Sequence, residues 1–334
     1  MSAFGDWPVF DEKVPWDEAQ AVLIEADLCD GLPMAVPTAK RLEAMLPEPS
    51  DAGLSHGLMP PLFGELTNAS IAYNCTLAGC TGPHAPQIVA TAAKACLEEP
   101  FNLLGLATTT GSPAIATVVH GWVADALGMS SGVNCLGPGS VANATLGRAI
   151  SLVLRNIAGM RTGGADMATM GQPAKYGLCF PEGRDETFQP FHVRRGLGPG
   201  ESAVTVVGIS GSMEVLPSHD TGNWDTPEEI LRPASLMMRA CLVAGGGSRR
   251  PDTGDQVLLL PPELAALIAG RGWRIEDVQD YIYNSDDAVG SGPIAASAED
   301  IHVIVTGGAG VKMTVLPPWG GGTRAVTRSL RAAG

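Results

Sequence analysis

The chain has 334 residues, 45% of them hydrophobic and 17% charged, enough to bury a sizeable core in one large domain or two smaller ones. Its 21 basic residues against 35 acidic ones leave a net charge of -14, which repels nucleic-acid phosphates and anionic membranes; no nucleic-acid or membrane partner is expected. No apolar stretch reaches the roughly 20 residues that span a bilayer, and seven cysteines behind an N-terminus with no apolar leader predict reduced thiols in a cytoplasmic protein.

In chain order, residues 1–60 read as an extended N-terminal arm with one helix, capped by Thr38 and running to Leu46. The Gly/Pro-rich stretch to Pro61 is the first boundary. Ile71 to Asn74 reads as a short strand, and a helix follows from Ala85 to Glu99, with Ile88, Val89, Ala92, Ala95 and Cys96 at helical spacing. Further helices are predicted over 113–127 and 142–157, the second entered through Gly137-Pro138-Gly139. Ser202–Ile209 is a β-branched run typical of a buried strand, as are Gln256–Leu260 and Ile301–Thr306, and helices run to Arg271 and over Ile275–Tyr283. The predicted class is therefore α/β, with short parallel strands alternating with helices. One reading divides it into two similar α/β units, 61–210 and 211–334, behind the arm.

Cys80 is the leading chemical candidate. In Ala-Gly-Cys-Thr-Gly-Pro-His it sits between a predicted strand and a predicted helix, where helix-start N–H groups would favour a thiolate. His84, four residues on, would shuttle protons. Against this stands the ordinary role of a free cysteine as a small core residue. Cys179, in Lys-Tyr-Gly-Leu-Cys-Phe-Pro-Glu, lies on a predicted loop beside Lys175 and Glu182; a solvated loop with one buried thiol explains that segment equally well. Asn143, Thr145 and Arg148 mark a helix start suited to a small anion. Gly307-Gly308-Ala309-Gly310 fails the dinucleotide fingerprint, and no cysteine pair has zinc-ligand spacing, so no cofactor or metal is expected.

Asp30-Gly31-Leu32-Pro33, Gly64-Glu65-Leu66-Thr67, Ala78-Gly79-Cys80, Leu136-Gly137-Pro138-Gly139, Gly171-Gln172-Pro173 and Thr323-Arg324-Ala325 occur in an order that resembles the bacterial UGSC family (seleno)proteins, over about residues 28–330. The resemblance implies thiol or selenol chemistry and strengthens Cys80 and Cys179. Glu65, Asn143, Arg148, Gln172, Lys175 and Glu182 lie inside matching motifs to which the resemblance attaches no role; in a thiolate mechanism Glu65 or Glu182 would move protons, and Gln172 and Lys175 join Asn143, Thr145 and Arg148 as substrate-binding candidates. The family's eponymous tetrapeptide is absent, which turns the expectation from dithiol redox towards bond cleavage.

The expected function is a thiolate-dependent hydrolase or lyase, desulfhydrase-like for example, that cleaves a C–S or C–N bond of a small, anionic molecule. The alternatives are a thiol-dependent oxidoreductase pairing Cys80 with Cys179, and a non-enzymatic small-anion binding protein. A homo-oligomer is the expected state.

Overall fold

The structure, a computed structural model, describes residues 4–46, 48–217, 226–244, 254–285 and 293–330. Two four-stranded sheets and a separate hairpin carry the strands. The first sheet holds β3 (Ala114–His120), β4 (Leu178–Pro181), β5 (Ala203–Ile209) and β10 (Val326–Ser329), in the order β10-β5-β3-β4. The second holds β6 (Met213–Val215), β7 (Gln256–Leu260), β8 (Ile301–Val305) and β9 (Met313–Leu316), in the order β6-β9-β7-β8. The hairpin joins β1 (Ser55–Met59) to β2 (Gly64–Thr67). The class is α/β, but the sheets are mixed: β3–β4 and β7–β8 are parallel, and the other pairings within the two sheets are antiparallel.

Side-chain alternation along the strands builds the layers. Ile115 and Val119 of β3 and Val204 and Val206 of β5 pack on α3 (Asn68–Ala78), α4 (Ala85–Cys96) and α7 (Val141–Val153). Their neighbours Ala116, Val118 and Val207 face the other way, against Val257, Leu259, Ile304 and Leu316 of the second sheet. The outer face of that sheet, Leu258, Leu260, Ile301 and Val303, meets α9 (Pro227–Ala244), α10 (Pro262–Gly270) and α11 (Ile275–Asn284). The result is four layers, helices–sheet–sheet–helices, with the strands buried on both faces. That explains their continuous apolar runs.

The two sheets repeat one topology. In the first, β3 leads through α6 (Trp122–Ala126) and α7 to β4 and then β5; in the second, β7 leads through α10 and α11 to β8 and then β9. The orders β4-β3-β5 and β8-β7-β9 and their pairing senses correspond. The fourth strands are exchanged: β6, which follows β5, joins the second sheet beside β9, and β10, which follows β9, returns to the first beside β5.

Three stretches differ from the sequence expectation. Residues 71–74 lie inside α3, opened by a capping box between Thr67 and Ser70 and buried over residues 69–78, so no amphipathic period remains to report it. Residues 114–120, expected to be helical, form β3; a wholly buried apolar run carries no strand-specific period either. The first sixty residues hold two helices, α1 (Trp16–Glu25) and α2 (Ala39–Met45), and the hairpin's first strand. Leu23, Leu28, Met34, Leu42 and Met45 from this stretch enter the helix-layer core, and the Gln20 amide holds both backbone groups of Met34.

Candidate active site and a buried histidine cluster

The thiols come first. Gly79 closes α3 in the left-handed conformation at φ +84°, which glycine adopts without a Cβ penalty. The chain then turns so that Cys80 N–H donates to the Cys75 carbonyl at 2.9 Å. Cys80 therefore sits at the carboxyl end of a helix and not at a helix start, so the helix-start N–H groups expected beside it are absent; α4 begins only at Ala85. Its Sγ donates to the Thr145 carbonyl at 3.4 Å, and only 8% of the residue is exposed.

Cys75 and Cys179 lie in the same core and feel Cys80. Burial pushes the Cys75 thiol up, helped by a hydrogen bond with Cys80, and burial with the Cys80 charge does the same to Cys179. Cys80 and Cys179, distant in sequence, thus do approach one another. Cys179 lies on β4 and not on a solvated loop. His84 caps α4 and packs edge-on against Trp122, ring centroids 5.2 Å apart, while Glu65 is exposed on β2 opposite Leu58.

The helix-start candidates have structural partners. Asn143 is buried and holds the backbone of Ser130 and Cys135. Thr145 Oγ1 donates to the Val141 carbonyl one turn back. Arg148 makes a bidentate pair with Asp30, both contacts at 2.8 Å, and also reaches the Leu32 and Pro33 carbonyls. The motif Asp30-Gly31-Leu32-Pro33 is the segment this arginine anchors.

Gln172 and Lys175 instead line a cavity of about 890 Å³. Its walls come from the start of β3, the segment 27–30, the end of α7 with the π-helical turn Leu154–Ala158, and the segment 160–176. A π turn at a cavity wall is a feature often found at functional sites. Lys175 Nζ lies 2.8 and 3.0 Å from the two oxygens of Asp166, and both side chains are largely buried, at 19% and 10% exposure. Arg155 and Arg161 converge on Asp27, Arg161 Nε at 2.9 Å. Gln172 spends its amide on the Ser112 and Ile209 carbonyls and fixes the wall. Cys29 also lines the cavity; burial, then Asp30, raises its thiol, so it presents a neutral S–H. Cys80 and Cys179 are not among the lining residues.

No family model matches the chain, and no curated protein or solved structure matches it. The site's chemistry rests on its geometry.

A second cluster lies between the sheets at the carboxyl ends of β3 and β4. Glu182, which follows β4, receives Phe191 N–H on Oε1 at 2.8 Å, and its Oε2 lies 2.7 Å from His120 Nδ1 and 3.9 Å from His192 Nδ1. Although burial opposes it, these contacts, His120 foremost, hold the carboxyl down at about 2. His120 Nε2 continues to Thr205 Oγ1 at 2.8 Å, and Thr205 to Thr327 Oγ1 at 2.8 Å. Glu182 was expected beside a thiol; it is engaged by histidine. Sequence spacing does not single out His120 or His192, because the three residues come from β3, the segment after β4, and α8 (Phe191–Arg194).

Across the sheet interface, buried Asp255 accepts from Arg324 at 2.7 Å and from Ala325 N–H at 2.6 Å and meets His302 Nε2 at 3.0 Å. Arg324 is therefore committed to the fold.

Proposed function

We propose that the chain is a small-molecule enzyme of hydrolase or lyase type that works from the 890 Å³ cavity, with Asp166 and Lys175 as its proton-handling pair. One observation carries the reading: a nearly buried Lys–Asp ion pair faces a ligand-sized cavity whose wall also holds Arg155, Arg161, Cys29 and Asp30. Along the wall Asp27, Asp30 and Asp166 balance Arg155, Arg161 and Lys175, which suits a small polar molecule with an anionic end for Arg161 or Lys175 and a donor end for Asp166. A substrate anion that draws Lys175 away from Asp166 would leave a largely buried carboxylate as a general base, and the ammonium as the acid that protonates a leaving nitrogen or sulfur.

The decisive comparison screens thioamides, nitriles and cyclic imides with wild type, Lys175→Met and Cys80→Ser. The expected result is that Lys175→Met loses activity by roughly 100-fold or more, in line with general acid–base contributions, while Cys80→Ser retains it. The reverse pattern would return the chemistry to Cys80 as a nucleophile, which the resemblance to the UGSC family supports.

A second reading, thiol-dependent oxidoreductase, is favoured by the convergence of Cys75, Cys80 and Cys179 in one core. It requires a two-electron oxidant such as a disulfide to join Cys80 to one of the others. Mass spectrometry of protein equilibrated with oxidised glutathione checks it, and exclusively reduced thiols at these positions would reject it.

A further inference from the structure

We infer that His120, Glu182 and His192 form a binding site for one divalent transition metal of the zinc class, set between the two sheets. One donor atom from each of the three residues lies within 4.8 Å of the other two. In a tetrahedral zinc centre, bonds of about 2.0–2.2 Å place ligand atoms about 3.3 Å apart. The observed 2.7 and 3.9 Å contacts of Glu182 bracket that value, and the two imidazole donors lie within 4.8 Å of one another, so side-chain adjustment without backbone rearrangement is what the triad asks for.

The independent observation is His192. It is 3% exposed, its Nδ1 points at Glu182 from beyond hydrogen-bonding distance, and neither ring nitrogen has a hydrogen-bond partner. Burying a polar ring with both nitrogens unmatched forfeits its hydrogen bonds to water, a loss that native structures seldom leave uncompensated. A metal ion takes up one nitrogen directly.

The surroundings match what a metal-bound imidazole requires. With His120 Nδ1 on the ion, its Nε2–H donates to Thr205 Oγ1, and that hydroxyl passes the bond to Thr327, which fixes ring and tautomer. Phe191 N–H holds the other oxygen of Glu182, leaving Oε2 for the metal. The Phe191 ring lies 5.7 Å from His120 and 5.1 Å from His302, forming an apolar wall that keeps His302 with its own partner Asp255. Two imidazoles and one carboxylate suit zinc and its neighbours; magnesium and calcium prefer oxygen-only shells. Among the described residues no fourth histidine, cysteine or carboxylate joins the group, so the fourth position would be open to water or another small ligand. The bound ion would tie the connection through α8 to the end of β3, and so brace the sheet interface.

The test uses the full chain, freed of metal with a chelator and then given Zn²⁺ or Co²⁺. Wild type is expected to retain one equivalent of zinc through gel filtration and to melt at a higher temperature with zinc than with chelator. The Co²⁺ form should show visible d–d bands without the near-ultraviolet thiolate charge transfer that the seven cysteines would cause. His192→Leu, which replaces the unmatched ring with an apolar side chain, should melt in chelator at or above the wild-type temperature and lose the zinc response. Glu182→Gln should weaken zinc binding by roughly 100-fold, judged against the 10–100-fold typical of outer-shell losses. Wild type that binds no zinc, zinc binding unchanged in His192→Leu, or a cobalt spectrum dominated by thiolate would each overturn the site. None of these outcomes bears on the Lys175 reading.

Discussion

Gly147 of α7 and Gly177, just ahead of β4, meet backbone to backbone: a Cβ on Gly177 would lie 2.3 Å from the Gly147 carbonyl carbon, and one on Gly147 would lie 2.9 Å from Leu178 N. This closeness sets α7 against β4 and seats the cavity wall that carries Lys175. Gly147→Ala is expected to destabilise the fold by about 1–3 kcal/mol, the range for overpacking. Gly177→Ala should cost more, because Gly177 also has φ +139°. Denaturant midpoints of the two variants check both the sign and the order.

Arg148 is an anchor and not a substrate ligand. Arg148→Lys should lose the bidentate pair with Asp30 and the reach to the Leu32 and Pro33 carbonyls, because a lysine offers one point charge in place of a planar fork. A stability loss of about 1–3 kcal/mol with ligand KM unchanged is the expected pattern. A rise in KM without a change in melting temperature would assign Arg148 to the site instead.

The buried carboxylate of Asp255 governs the acid limb. Contacts from His302, Arg324 and Ala325 N–H hold its pKa below the ordinary 3.8, despite burial. A lowered folded value means that the stabilisation is fully present above the unfolded pKa near 4 and drains away as pH falls through the folded value. Asp255→Asn should therefore lose about 3–5 kcal/mol at pH 7, since it takes the carboxylate partner from buried His302 and leaves Arg324 to its longer contact with Asp300. The difference from wild type should shrink below pH 4; urea melts between pH 2 and 7 measure it.

The thiols should label unequally. Cys75, Cys96 and Cys179 are buried and raised in pKa, while Cys29 and Cys241 are half-exposed. Brief iodoacetamide treatment of native protein at pH 8 should modify Cys29 and Cys241 first, read by peptide mass spectrometry. Fast labelling of Cys80 would contradict its placement at the carboxyl end of α3 and revive an activated thiolate.

The amino-acid sequence by itself determined the α/β class and several elements: α4, α7, α10 and α11 through their apolar periods and proline or glycine punctuation, β5 and β8 through β-branched runs, and β7 through a short apolar run. It also singled out Lys175 and Gln172, which line the cavity, and Glu182, which lies beside two histidines. Periodicity reports which face of an element is buried, and it falls silent when every face is. That is why α3 and β3, covered all round, exchanged helix for strand in the reading. Only the tertiary structure decided what each buried face meets. It turned Cys80 towards a helix carboxyl end, committed Arg148 and Asn143 to backbone groups, and exchanged β6 and β10 between the sheets. It also gathered His120, Glu182 and His192 from separate elements, the first two 62 residues apart. Such a donor set leaves no local spacing to find, because strand pairing and sheet stacking, and not proximity along the chain, bring the atoms together.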